Sequence, residues 1–328
     1  MMKLGFLFAV GAVALSTAGA ACAQEMRLLN AFDQNNIFTR EIANPFMEAV
    51  TKATGGKVTF RVSGPETVTP FEQLQPAAAG LFQLLVTHCA YHPGTTGVGM
   101  AADGFPVDPA KRRESGLFGF LDEHYQKHGV KLLAMPPFGS VGFQFVLKKP
   151  IEGEPALGGR KIRGTVAYHP MIQTLGGSPI VMPGGEVYTA MERGVADGAA
   201  WATTGVIDFK WNEVAGYLAR PAYGQSGLAI FMNLATWKGL SPDLQKTFAQ
   251  AGADLELRTL KRFDEMAAEE EKKLLGLGMK ITKFSDKDAA ALDRLWSHGV
   301  LKVGADKSPA DVKAMVETAQ KGGLKLAN

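Results

Sequence analysis

Cysteine is almost absent: two residues in 328, Cys22 and Cys89. Cys22 falls in a leader-like segment, so the remainder cannot form an internal disulfide and must be held by packing. Charge of one sign is equally scarce. With 35 Lys and Arg against 32 Asp and Glu, the net charge is +3 and no basic stripe exists to neutralise a run of phosphates, which argues against a nucleic acid partner. Beyond the N-terminus no stretch offers about 18 uninterrupted apolar residues, so a membrane-spanning chain is disfavoured. A Gly-x-Ser-x-Gly elbow and a Walker phosphate loop are both missing. What is present is 46% apolar residues and 20% charged, enough for a buried core at a length where one core usually divides in two.

Lys3, the apolar run from Leu4 to Leu15 and the small residues ending Ala21-Cys22-Ala23 follow the order of a secretory signal, so residues 1–23 are expected to be cleaved and the protein exported. Lipidation of Cys22 is the weaker reading, because Gly19 stands where an apolar residue usually precedes such a cysteine.

Along the rest of the chain, strands are predicted at 26–31 and 57–62 around a helix over 39–54, where Ile42, Phe46, Met47 and Val50 share a face. A helix at 71–81 and a buried strand at 83–87 repeat the unit. A second sheet is predicted to begin at 132–135 and to continue through 142–148 and 161–163, then helix 168–175, strand 179–182 and helix 186–193. Ser241 caps a long helix with Pro242 in its first turn. At 1.5 Å per residue, roughly 36 residues reach about 54 Å, more than one lobe's width. Two last helices start at Ser285-Asp286 and Ser308-Pro309. The alternation predicts the α/β class with mostly parallel sheets, and the length predicts two lobes. Lobe I takes 24–147 and 230–260, lobe II takes 148–229 and 281–328, and residues 241–277 form the long helix that bridges them.

Gly159-Arg160-Lys161-Ile162-Arg163-Gly164, Leu175-Gly176-Gly177-Ser178-Pro179-Ile180-Val181-Met182-Pro183 and Glu186-Val187-Tyr188 through Asp197-Gly198 form an ordered block. It resembles the central signature of the solute receptors of tripartite ATP-independent periplasmic (TRAP) transporters, the DctP family. Val62-Ser63-Gly64-Pro65, Ala90-Tyr91-His92-Pro93-Gly94 and the helix after Ser241 extend the likeness over most of the chain. The resemblance implies a two-lobed periplasmic-binding-protein (Venus flytrap) fold with hinge strands, a periplasmic location, a small organic acid ligand, and small and large permease membrane subunits as partners. It implies no catalysis and calls for no cofactor, and it leaves open whether a metal ion bridges ligand and protein, as in some 2-oxo acid receptors.

The Arg that closes the Lys-Ile-Arg strand in that family holds the ligand carboxylate, and the matching residue is Arg163. A guanidinium suits the task, since its planar fork matches two carboxylate oxygens and stays charged. Trp201 stands where family members place a ligand-contacting side chain, within Ala199-Ala200-Trp201-Ala202-Thr203, similar to the tryptophan-containing version in 2-oxo acid receptors. Phe231, Tyr168 and Phe32 are expected to line the remainder. Asn233 is read as a hinge hydrogen bonder or a contact. Glu66, Thr67 and His88 follow the second and third strands, where open α/β sheets present their loops to ligands.

The strand before Arg163, Gly142-Phe143-Gln144-Phe145-Val146-Leu147, lacks the second arginine often found in receptors of ligands with two polar ends. The expected cargo is therefore a monocarboxylate with an apolar or aromatic part, a 2-oxo acid or aryl carboxylate. The alternatives are a C4-dicarboxylate or sugar acid, or service to an ABC importer or sensor. His124 and His128 are read as a solvated helix face, and His88, Cys89 and His92 lack a fourth metal ligand. The run Glu269-Glu270-Glu271-Lys272-Lys273 is read as a solvated face with four-apart ion pairs. A homodimer through the long helix stays open.

Overall fold

The computed structural model describes residues 24–326, so the expected signal segment and Cys22 lie outside the described residues. The strands, in chain order, are β1 (Gln24–Asn30), β2 (Val58–Ser63), β3 (Leu84–Thr87), β4 (Val130–Ala134), β5 (Phe143–Leu147), β6 (Lys161–Arg163), β7 (Ser178–Ile180), β8 (Gly198–Ala202), β9 (Tyr217–Arg220), β10 (Ala229–Asn233) and β11 (Lys280–Lys283). They form two mixed sheets of order β2-β1-β3-β10-β4 and β11-β9-β5-β8-β6-β7. In the first, β1, β2 and β3 run parallel while β10 returns antiparallel; in the second, β6, β7 and β8 run parallel and β5 opposes β8. This is a two-lobed α/β architecture.

Strand β4, expected to open the second sheet, belongs to the first, where it pairs with β10. Strand β5, placed in lobe I by the 24–147 boundary, belongs to the second. The cause is long-range. Sheet membership here depends on partner strands far downstream, β10 for β4 and β8 and β9 for β5, which no local pattern encodes.

The chain crosses between sheets at 135–142 and again at 221–228, and the two crossing segments are hydrogen-bonded to each other. Phe138 N–H donates to the Ser226 carbonyl at 3.2 Å, Leu228 N–H to the Pro136 carbonyl at 3.0 Å, and Gly142 N–H to the Gly224 carbonyl at 2.8 Å. The paired crossing is a short ribbon on which the lobes can turn. A third crossing is the helix Pro242–Gly276, whose Ser241 hydroxyl accepts the Leu244 N–H at 3.3 Å and which runs unbroken for 35 residues. Gly252 does not break it. A Cβ there would stand 2.8 Å from the Leu133 carbonyl oxygen, so glycine lets the helix lie directly on β4.

Residues 281–328 do not all join lobe II. Strand β11 does, but helix Asp286–Lys307 lies across both lobes and helix Pro309–Lys321 packs on helix Leu117–Gln126 beside the first sheet. Trp296 explains the bridging. Its indole N–H donates to the Asp103 carbonyl at 3.2 Å, while its ring packs 4.5 Å from Phe143 and 5.1 Å from Tyr168.

Candidate ligand-binding site

The carboxyl ends of the parallel strands in both sheets face one cleft. That is where open α/β sheets bind ligands, because loops there are free of sheet pairing and can converge. From the first sheet come Phe32 after β1 and His88 after β3; from the second come Arg163 at the end of β6 and Trp201 in β8. With Tyr91, Phe143, Tyr168 and Thr165 they wall a cavity holding about 330 Å³ of atom-free space.

Arg163 is the cavity's one charged residue. It is 1% exposed, and its Nε donates to the Met182 carbonyl at 2.9 Å and its Nη1 to the Ala200 carbonyl at 3.3 Å. Its Nη2 has no partner, and no described carboxylate reaches ion-pair distance. Burial pulls its pKa below the usual arginine value, opposed by the Tyr91 and Tyr168 phenols. The guanidinium carbon lies 5.0 Å from the Trp201 ring centroid, within cation–π range. Two neighbours in this wall are also unsatisfied: Thr165 Oγ1 and Trp201 Nε1. Trp201 itself fits because position 184 is glycine, where a Cβ would come within 2.7 Å of the indole.

His88 lines the cavity without offering it a proton. Its Nδ1 accepts the Ala90 N–H at 3.1 Å, which leaves the proton on Nε2 to donate to Ser226 Oγ at 2.8 Å, and Ser226 in turn donates to Asp103 Oδ2 at 2.7 Å. Burial, with the Arg163 charge, pushes the imidazole down to about 4, and burial lifts Asp103 to about 7 against the pull of Arg112. The ring is thus a neutral wall tied to the crossing ribbon.

Phe32, His88, Arg163, Tyr168 and Trp201 come together. Glu66 is at the cleft's mouth beside Phe32 and Trp201, its carboxylate accepting the Gly64 N–H at 2.8 Å, and Thr67 is near it, donating to the same carboxylate at 3.4 Å. Phe231 is elsewhere. Its side chain points to the opposite face of β10, packing 4.5 Å from Tyr125 and 6.2 Å from His92, in a core separate from the cavity. Asn233 is no contact either: its side chain caps helix Leu234–Gly239 through Thr236 N–H at 2.9 Å and donates to the Ala77 and Ala78 carbonyls.

Sequence reasoning misses Tyr91, Phe38, Phe138 and Thr165, which also line the cavity; the one available signal is that Tyr91 belongs to the Ala90-Tyr91-His92-Pro93-Gly94 motif. Two solvated-face expectations also change. His124 is buried, its Nε2 2.7 Å from Thr96 Oγ1. Glu270 is buried too, accepting the Gly205 and Ile207 N–H groups at 2.8 and 3.1 Å, while Glu271 pairs with Arg220. Glu270 thereby fastens the loop after β8 to the long helix, and Glu271 fastens the end of β9 to it.

That loop also reaches across the cleft. Asp208 accepts the Ile37 N–H at 2.7 Å and lies 3.4 Å from Arg40, so a carboxylate of the second lobe sits at the start of the helical segment Thr39–Ala43 of the first.

Two lobes joined by a hydrogen-bonded ribbon thus surround a buried guanidinium that has no carboxylate partner among the described residues. The profile of DctP, described as bacterial extracellular solute-binding protein, family 7, matches residues 108–300, and the chain belongs to that family, the TRAP type of solute-binding protein. It is a family of receptors, not of enzymes. A monocarboxylate 2-oxoacid-binding periplasmic protein of Nostoc sp. is 30% identical over 181 residues, 53% of this chain and about half (49%) of that relative's length. A solute-binding protein of Roseobacter denitrificans is 24% identical across 91% of this chain and 93% of its own. The fold is that of a TRAP periplasmic solute-binding protein of Desulfovibrio salexigens with bound orotic acid, at a TM-score of 0.80 and 21% identity over 91% of this chain and 98% of that one. A Bordetella pertussis extracytoplasmic solute receptor binding pyroglutamic acid aligns at 0.79 and 18% identity, covering 91% and 100%. No described helix is long and apolar enough to cross a membrane.

Proposed function

We propose that this protein captures a small monocarboxylate with an apolar or aromatic remainder, a 2-oxo acid or aryl carboxylate, in the periplasm. Lobe closure traps the acid, and the closed receptor delivers it to the small and large membrane subunits of a TRAP permease. The observation that supports this most is Arg163: a buried cation with one free donor nitrogen and no acidic partner among the described residues. Burying an unpaired charge costs several kcal/mol, and an incoming carboxylate removes that cost while gaining a charge-assisted bond of about 1.5 to 3 kcal/mol. Ligand favours closure by the difference between its affinities for the closed and open forms.

A single carboxylate is favoured because the cavity's other walls are aromatic rings, a threonine hydroxyl and a neutral histidine. A second carboxylate would find no cation there. The name of the Nostoc relative, and the ring-bearing single-carboxylate acids held by the two structural neighbours, point the same way.

The test is a thermal-shift screen of aromatic, 2-oxo, hydroxy and dicarboxylic acids on the wild type and on Arg163→Ala. A ligand at 100 times its dissociation constant raises stability by about 2.7 kcal/mol. The substitution is expected to erase that gain. Normal binding by the variant overturns the reading.

A further inference from the structure

We infer that Tyr91 sets the longest acid that the site accepts. The inference rests on the reading of the Arg163 cavity as the seat of a carboxylate. Tyr91 ends the short turn Cys89–Tyr91 that follows β3, and it is 5% exposed. It is the one residue that lines the inner cavity and both of the spaces flanking it between the lobes. These hold about 620 and 750 Å³ of atom-free space against about 330 Å³ around Arg163, each volume partly open to solvent.

Phe32 and Trp201 border only one of the flanking spaces and Thr165 only the other, while three further walls have solid protein behind them. Phe143 and Tyr168 are backed by Trp296, and Phe38 by Phe263 at 5.8 Å. Behind Tyr91 there is room. Its ring is held edge-on by Phe71 at 5.3 Å and leans on His88 at 5.7 Å and Phe32 at 6.2 Å, while its hydroxyl interacts with the Arg163 guanidinium. A carboxylate fixed by Arg163 therefore starts its tail beside this phenol. A tail too long for the inner cavity meets the Tyr91 ring whichever flanking space it heads for, because Tyr91 alone among the lining residues borders both. Close-packed interiors do not yield smoothly to an extra methylene, so the limit should be sharp.

The experiment measures dissociation constants by calorimetry for straight-chain 2-oxo acids from three to eight carbons, on the wild type, Tyr91→Phe, Tyr91→Leu and Tyr91→Ala. In the wild type, affinity should fall at least tenfold within two carbons beyond the preferred length. Tyr91→Phe keeps the ring, so all lengths should weaken together and the limit should not move. Tyr91→Ala should shift the limit by two carbons or more; Tyr91→Leu, the variant with less risk to folding, should shift it by at least one. A wild-type length profile in both the Ala and Leu variants overturns the inference, as does a wild type that binds every length equally, and either result leaves the carboxylate reading intact. If the wild type and Arg163→Ala respond identically to these acids, the carboxylate reading falls and this inference with it.

Discussion

Arg112 and Arg163 are both buried, 3% and 1% exposed, yet their surroundings differ in one respect. In the first lobe, Arg112 donates to the Pro106 carbonyl at 2.8 Å and to those of Ala102 and Phe105 at 3.1 Å, and the Asp103 carboxylate stands 4.0 Å away. In the second, Arg163 has two carbonyls and an aromatic face but no anion. The first arginine has a carboxyl group of its own chain beside it, and the second has none among the described residues. On the proposed reading the ligand supplies the missing anion, and burial alone does not separate the two cations.

The sharpest way to break this contrast is to exchange the consequences. Arg112→Met should cost about 3 to 5 kcal/mol of unfolding free energy in urea, because the Pro106, Ala102 and Phe105 carbonyls lose their donor and Asp103 loses the neighbouring cation, while ligand affinity in the folded fraction stays within about threefold. Arg163→Ala should do the reverse, losing at least about a hundredfold in affinity, about 2.7 kcal/mol, with the unliganded midpoint nearly unchanged. If both variants lose stability equally, the distinction is wrong.

Acid should probe the same region with a smaller effect. His88 and His92, held down to about 4 and about 3, stay neutral in the native state while the unfolded chain protonates them below about 6.5. Their stability is complete above that pH and drains as it falls, by about 1.4 kcal/mol per unit for each ring. Asp103 runs the other way: protonated up to about 7 when folded, it favours the native state as the pH drops toward its ordinary value. One imidazole opposes the carboxyl, so the unfolding free energy from urea titrations should fall between about pH 6.5 and about 5, and His92→Gln should flatten the profile. A wild-type profile that is already flat contradicts the assignment.

Trp201→Leu removes the aromatic face from Arg163 and should weaken ligand binding by about tenfold. Acids with apolar tails should suffer more than pyruvate. Asp208→Asn tests the contact across the cleft: losing the charge at Ile37 and Arg40 should raise the ligand off-rate severalfold, for about 1 kcal/mol, and leave the unliganded melt unchanged.

Which features could be read in advance follows from how local their causes are. The Ser241-Pro242 start and the Ser285 cap were legible because each depends on a few adjacent residues, and both hydroxyls accept the N–H three positions on. Arg163 was placed by a motif that fixes the end of a strand. Phe231 was misplaced because β10 is buried on both faces, Ile230 and Met232 against one core and Ala229 and Phe231 against the other. Composition gives such a strand no inside or outside. Asn233 was ambiguous between hinge and contact, and its capping partner lies three residues ahead, a pattern that could have decided it. Tyr91, Phe38 and Phe138 come from turns and crossings whose meeting depends on the whole fold.

The bare guanidinium has one more effect, on the receptor with nothing bound. Shut and empty, the cleft would strand a cation away from water, a cost that would favour the open form and admit solvent. If Arg163 holds the cargo's carboxylate, the arriving anion would cancel that cost. The same side chain would then act as the spring of an idle receptor and leave unloaded copies poor competitors for a partner that docks on the shut form.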